Sequence, residues 1–437
     1  MTLGRARWLM VATPASMYFF SYLHRVAPAV VAGDLMRAFA IPATSLALLA
    51  AVYPYVFVAM ALVAGSLADG IGPRWTLTLG GVAMAFGAAL FGLAPTFGVA
   101  VAGRLLVALG ASVILIAWLS LIAAWLRPGE FATAAGWTQS VGNVGGLAAT
   151  APLALLVEAV GWRQTFVLVG GATLLLALLV LGVVRDRPTA CGVPSAAPPR
   201  HRERGVAAGA MSILCNARTW PPVLAAAGMF ATLVTLQGLW GVAWLTQVYR
   251  VPRVAAATTL AMLAVGFAVG SPLAGWLSDR WIRGRRLPFV AFSALYALCW
   301  LPMLLTGSAR VPAAWLPALL FVLGVSGGGL ALVFTCVREV NDPARVGLAV
   351  GFCNMPIFLG FALVQAITGL VLDAHWDGLA IDGARVYPER AYRSVFAVCL
   401  AIAAAAALAA TRVRETRCTN VWTPGPLDRE QPTHRAR

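Results

Sequence analysis

Three ionisable side chains fall inside otherwise apolar stretches of this 437-residue sequence: His24, Arg25 and Arg104. A charge inside a membrane-spanning segment is costly, so each such residue is a functional candidate by default. Arginine presents a planar fork of N–H donors that fits a carboxylate, which makes Arg25 and Arg104 a candidate anion-binding pair. The alternative is that one or both reach outward to the interface, or pair with Asp34 or Glu158. His24 and Asp34 are the candidates for carrying a proton. Gln237, Trp240, Trp244 and Gln247 recur at helical spacing and form one polar and aromatic face. Gln237 and Trp240 suit a cavity lining, with Tyr22 beside the basic pair, whereas Trp244 and Gln247 suit the membrane interface. Gln139, Asn143 and Asn354 are mid-helix amides, which either bond a neighbouring helix or face a pathway. Tyr53 and Tyr55 are weaker candidates of the same kind.

Enzyme chemistry lacks its residues. There is no glycine-rich phosphate loop, no intramembrane Ser/His/Asp set and no His-Glu-x-x-His run. Seven cysteines are scattered without metal-ligand spacing, so neither a disulfide framework nor a zinc site is expected. Copper carriage would want paired methionines one turn apart, and no Met-x-x-x-Met occurs. No cofactor and no metal are expected.

The elements that must position these residues are membrane helices. The chain is 60% hydrophobic and 11% charged, against about 25% charged in a soluble domain. Apolar runs of roughly 20 residues recur, each long enough to cross a hydrocarbon core. They predict an all-α membrane protein of twelve transmembrane helices in two six-helix bundles. The first bundle is expected over residues 1–184, with helices at Trp8–Ala32, Thr44–Leu67, Trp75–Leu93, Gly98–Ala124, Glu130–Leu156 and Arg163–Val184. A linker over 185–218 comes next, rich in Pro, Arg and Ala. The second bundle occupies 219–411, its first helix at Trp220–Val248, and a charged tail closes the chain over 412–437. Met1 to Arg7, followed by a long apolar run with no small-residue cleavage site soon after, predicts a retained first helix. By these spans all 16 carboxylates lie in loops or at helix ends.

The net charge of +16 would suggest nucleic acid in a soluble protein. Here about 22 of the Arg residues fall on the side holding both termini and the linker, and about 8 on the other. That bias is a topology signal. It predicts both termini in the cytoplasm of a bacterium, in the inner membrane, with no nucleic-acid partner.

Internal repetition argues for duplicated halves. Gly65-Ser-Leu-Ala-Asp69-Gly-Ile-Gly-Pro-Arg74 is echoed by Gly275-Trp-Leu-Ser-Asp279-Arg280, 210 residues later. Gly136-Trp137-Thr138-Gln139 is echoed by Gly351-Phe352-Cys353-Asn354 at an offset of 215. Duplicated halves place a pseudo-twofold axis in the molecule and a site at mid-membrane between them.

The Gly-x-Leu-small-Asp loops resemble the signature of the major facilitator superfamily, and the likeness extends over essentially the whole chain. It implies alternating access, cavity-lining first and fourth helices, and a conformational latch built from Gly65, Asp69, Arg74, Gly275, Asp279 and Arg280. The alternative is that these loops are tight turns charged for topology. Arg104 is followed by Ala108 and Gly110, which matches only part of that family's fourth-helix pattern. The fifth helix lacks the Gly-Pro of drug antiporters. Tyr22-Leu-His24-Arg25-Val-Ala-Pro28, Gly161-Trp162-Arg163 and Arg338-Glu339-Val-Asn341-Asp342-Pro343 resemble a bacterial branch related to lysosomal dipeptide transporters. The resemblance implies secondary active or facilitative transport of a small organic solute, a dipeptide or organic anion, by a monomer in the lipid bilayer. Proton coupling stays open, a proton-driven drug or metabolite efflux antiporter is the alternative, and a receptor of the same fold would want a signalling domain that the linker and tail do not display.

Overall fold

Ten stretches among the described residues are long and apolar enough to cross a membrane. The computed structural model describes residues 3–61, 63–125, 141–186, 206–305, 310–342, 346–381 and 384–423. The longest stretch, Val141–Val183, has 43 residues, too many for one crossing. Gly161 breaks it: its φ of 81° lies in the left-handed region that glycine adopts without penalty. The chain reverses there, and Arg163 pins the turn by donating to the carbonyls of Ala94 (2.7 Å) and Gly92 (3.3 Å).

In the first half the helices are α1 (Leu3–Val26), α2 (Ala32–Phe39), α3 (Ala43–Met60), α4 (Val63–Gly70), α5 (Pro73–Gly92), α6 (Phe97–Trp125), α7 (residues 141–148) and α8 (Ala151–Val183). In the second they are α9 (Val206–Cys215), α10 (Trp220–Thr235), α11 (Gly241–Val248), α12 (Arg253–Trp276), α13 (Arg286–Leu298), α14 (Leu316–Gly327), α15 (Leu332–Val340), α16 (Val346–Ala374) and α17 (Glu389–Thr411). A two-stranded hairpin, β1 (Ala380–Ile381) and β2 (Ala384–Arg385), joins α16 to α17.

Two helices end earlier than their apolar runs predict. α1 stops at Val26 rather than Ala32, because Pro28 has no N–H to continue the ladder. The chain turns through Ala27–Ala29 and restarts as α2. The run expected as one helix over Thr44–Leu67 is α3 followed by α4. Part of the expected linker, Val206–Cys215, is helical.

Small residues let the helices approach closely. A Cβ on Gly110 would lie 2.2 Å from the Gly80 carbonyl, and one on Gly270 would lie 2.1 Å from that of Val325. These positions pack α5 on α6 and α12 on α14 backbone to backbone.

The halves meet along α3 and α16. At one end Asp373, at the foot of α16, accepts from the backbone N–H groups of Ala43 (3.0 Å) and Thr44 (2.7 Å) and from the Thr44 hydroxyl. One half therefore caps a helix of the other, satisfying donors that the first turn of α3 cannot satisfy itself. Tyr387 adds its hydroxyl to the same N–H of Ala43 at 2.8 Å. Asp34 of α2 and Arg253 of α12 pair across the same end at 2.9 Å.

Candidate functional site

Arg25 sits in the last turn of α1, where the helix dipole favours a cation. Its guanidinium carbon lies 3.7 Å from the centre of the Tyr22 ring and 5.9 Å from that of Phe230 on α10. A first-half cation thus faces a second-half ring. The buried Arg25 Nε has no hydrogen-bond partner among the described residues.

Rings from both halves surround it. Tyr18 meets Tyr22 at 5.0 Å, and Tyr53 stacks on Phe57 at 4.7 Å. Phe57 stacks on Phe358 of α16 at 5.0 Å, and Phe358 meets Phe230 at 5.7 Å. This wall of ring contacts runs through α3, α16 and α10 and crosses between the halves once, at Phe57–Phe358, and Arg25 itself joins Tyr22 of α1 to it at Phe230. The ring faces carry the negative side of the ring quadrupoles, which holds a guanidinium without neutralising it.

Arg104, on α6, is committed differently. Its terminal nitrogens donate to the carbonyls of His24 and Arg25 (3.2 Å for the latter), which the end of α1 leaves unpaired. Its guanidinium carbon lies 4.9 Å from the Tyr53 ring, and its buried Nε has no partner among the described residues. The ion pairs found among the described residues assign no carboxylate to Arg25 or Arg104, and Asp34 is taken by Arg253. Glu158 is exposed on α8.

The remaining sequence candidates are spread through both halves. The His24 ring is buried and lies 3.3 Å from the Thr173 hydroxyl of α8. Gln237 and Trp240 fall in a π-helical turn, Leu236–Trp240, which inserts an extra residue and rotates the face presented by α11. Gln237 is half-buried; Trp240 is 1% exposed and donates to the Thr368 hydroxyl at 3.0 Å. Trp244 is buried too, and Gln247 binds the Tyr387 N–H and the Tyr392 hydroxyl. Asn143 is half-buried on α7, next to Gly142, which abuts Tyr18 and Tyr22. Asn354 is half-buried one turn before Phe358. Gln139 lies outside the described residues. Tyr53 is 1% exposed and donates to the Ser21 carbonyl at 3.0 Å, whereas Tyr55 is exposed.

Of the latch residues, Gly65 and Asp69 lie in α4, with the Asp69 side chain outside the described part of the structure. Arg74 binds within its own half, donating from Nε and a terminal nitrogen to the Leu181 carbonyl at 3.0 and 2.6 Å. Gly275 is half-buried in α12 and Arg280 is exposed. Asp279 pairs with Arg285, which also binds Glu339 at 2.8 Å and the Ser278 hydroxyl at 2.7 Å. Burial alone would lower the Arg285 pKa, but the bonds to Glu339 and Asp279 outweigh it and hold the value above the ordinary. The tail docks on this cluster: the Thr416 hydroxyl donates to Glu339, and the Val421 N–H donates to the Glu339 carbonyl at 2.8 Å. Glu415 caps α13, accepting from the N–H groups of Arg285 (2.9 Å) and Arg286 (3.1 Å). At the Asp373 end bonds cross between halves, and at this opposite end Arg74 and Asp279 are satisfied inside their own.

Sequence reasoning missed Asp373, whose partners Ala43 and Thr44 lie about three-quarters of the chain away, and Gln365, 1% exposed on α16 with its Oε1 unpartnered among the described residues. Gln365 stands one and two turns beyond Phe361 and Phe358, a helical spacing that could have drawn notice.

A family model described as Major Facilitator Superfamily matches residues 15–337 and 239–433. The chain belongs to that superfamily. It is thus a multi-pass protein of the lipid bilayer, in a family of transporters rather than enzymes. Among curated relatives it is 26% identical over 284 residues to the membrane sensor protein UhpC of Escherichia coli (strain K12), covering 60% of this chain and 62% of that protein. It is 27% identical over 185 residues to the probable sulfoacetate transporter SauU of Cupriavidus necator, covering 42% and 43%. The matched region spans about three-fifths of the UhpC length. In structure the chain is similar to a bacterial homologue of the human lysosomal transporter Spinster, in its inward-facing and unoccupied conformation. That likeness has a TM-score of 0.80 at 19% identity, covering 96% of this chain and 99% of the other. It places this major facilitator chain in the same fold.

Proposed function

We propose that the chain moves a small organic solute bearing an anionic group across the membrane by alternating access of its two halves. The observation that carries this reading is Arg25: a cation at the meeting of the halves, held by rings, with no carboxylate and one N–H unpartnered among the described residues. A carboxylate or sulfonate entering the site would gain a charge-assisted bond there. Arg104 positions the end of α1, and so Arg25, by occupying its free carbonyls. Tyr22, Phe230, Phe358, Asn354 and Gln237 supply ring faces and amides for the remainder of the solute. The name of SauU, which pairs this kind of chain with an organic anion, supports the same class.

In this reading residues 1–184 and 219–411 are the two moving bodies, joined by the linker over 185–218. The arginine bias puts both termini in the cytoplasm, so the Asp373 end faces outward and the bonds across it close the outer side. The latch loops at Asp69 and Asp279 meet only when the inner side closes. The test is a thermal-shift screen of purified protein against dipeptides, carboxylates, sulfonates, sugar phosphates and cationic drugs. Stabilisation by anionic solutes, weakened at least tenfold in Arg25→Gln, is the expected result. Stabilisation by cationic drugs alone refutes the anion reading.

A further inference from the structure

A second group of arginines lies away from Arg25, at the Asp373 end. A cavity of about 1180 Å³ opens there between α2, the α11–α12 connection and the β1–β2 hairpin. Arg37, Arg250, Arg253, Arg310 and Arg385 line it. Three of the five have carboxylate partners: Arg253 with Asp34 (2.9 Å), Arg310 with Glu389 (3.6 Å) and Arg385 with Asp373 (3.3 Å). Asp377, the other acidic residue on the wall, is held by Arg390. Arg37 and Arg250 are left exposed with no ion pair to any described residue. Arg37 belongs to the first half and Arg250 to the second.

We infer that this vestibule binds a small multivalent anion, of the phosphate, sulfonate or polycarboxylate class, between Arg37 and Arg250. Two unpaired guanidiniums facing one cavity leave it with net positive charge, and each offers a fork of donors suited to oxyanions. The volume exceeds that of a fitted small-molecule pocket, about 300 to 1,000 Å³, so charge rather than shape selects the occupant. An anion held by one arginine from each half also ties the halves at the end where Asp373 already joins them. Binding therefore favours the state closed at that end. This site is separate from Arg25 and does not depend on which solute the chain transports.

Arg250 offers a clean test. Its φ is 56°, in the left-handed region, just past α11, where the Val251 N–H bonds the Leu245 carbonyl at 3.3 Å. Glycine is the favoured residue at such a helix end. Arg250→Gly therefore removes the charge and relieves the backbone together.

The experiment is calorimetric titration of inorganic pyrophosphate into the full chain, purified in lipid-free detergent in a chloride-free buffer. Saturable binding is expected, weakening as salt is added. Arg250→Gly and Arg37→Gln should each bind about tenfold more weakly or worse, with the Arg250→Gly unfolding midpoint at or above that of the parent. Repeating the titration in phosphatidylglycerol and phosphatidylcholine nanodiscs separates the sources of the anion. Weaker binding in phosphatidylglycerol alone assigns the natural occupant to a lipid headgroup, and equal binding assigns it to a soluble anion. The inference is overturned if Arg250→Gly keeps full affinity, if no saturable binding occurs, or if Arg25→Gln abolishes binding while Arg250→Gly does not.

Discussion

Asp373→Ala tests the joint between the halves where one half caps a helix of the other. The carboxylate accepts from the N–H groups of Ala43 and Thr44, from the Thr44 hydroxyl and from the Tyr387 hydroxyl (2.7 Å). Loss of a helix cap costs about 1 kcal/mol. Loss of the anion from the positive end of α3 costs roughly 0.5 kcal/mol. The charge-assisted bond from Tyr387 is worth about 1.5 kcal/mol at the low end of its range. The pair with Arg385 adds little, since Arg385 is 30% exposed and such pairs contribute about 0–1 kcal/mol. Tyr387 and Arg385 belong to the same half as Asp373 and their bonds survive opening, whereas the cap exists only while this end is closed, so the substitution should shift the closed-to-open equilibrium by about 1.5 kcal/mol, or roughly tenfold. Ala38 and Leu379 are exposed on opposite halves near this end. Spin labels there, read by pulsed double-resonance distances, should show a dominant short separation in the parent and a substantial long one in Asp373→Ala. An unchanged distribution would mean that Asp373 does not hold the gate, and the estimate above would fail with it.

Other contacts carry further expected outcomes. Glu339→Ala leaves the buried Arg285 with Asp279 as its one remaining carboxylate among the described residues, and should lower stability by about 3 kcal/mol in thermal unfolding; the double variant with Arg285→Met should recover part of that loss. Partial burial by itself would raise the pKa of Glu415, but the N–H groups of Arg417, Arg285, Arg286 and Thr416 outweigh it and hold the value below the ordinary 4.5. The carboxylate's contribution to tail docking is thus fully present above 4.5 and lost as pH falls through the lower folded value. Hydrogen exchange of residues 413–421 should accelerate on acidification through that window, and Glu415→Gln should remove the dependence. Gly270→Leu forces side-chain atoms onto the Val325 backbone and should cost about 1–3 kcal/mol or more, seen as a lowered unfolding midpoint, while the same change at Gly275, with open space around its Cβ, should cost less.

Local composition is the part of the fold that the sequence made legible. Apolar runs placed the crossings, and Trp220–Val248 coincides with its predicted span because the π turn inside it shifts the hydrogen-bond ladder without interrupting the helix. Pro28 marked the end of α1 only once its missing N–H was set against a helix that the apolar run alone would extend. The π turn at Leu236–Trp240 has no signature in residue type, and it carries Trp240 to Thr368 where an ideal 3.6-residue period would present one uninterrupted stripe. Long-range pairing was the least legible. Asp373 reads as one more carboxylate at a helix end, and only the fold brings it to Ala43 and Thr44. Arg104 reads as a partner for Arg25, and the fold gives its donors to the carbonyls that the early stop of α1 sets free.

The most direct test of anion transport through Arg25 is solute counterflow in proteoliposomes holding the full chain. Each radiolabelled solute, a sulfonate, a dicarboxylate, a dipeptide and a cationic drug, is offered outside against the same unlabelled solute inside. The account predicts transient accumulation of one or more anionic solutes, reduced at least tenfold by Arg25→Gln and partly restored by Arg25→Lys. Saturable binding of an anion with no counterflow would contradict transport and favour a sensor. Counterflow of the cationic drug, unchanged by Arg25→Gln, would contradict the site itself.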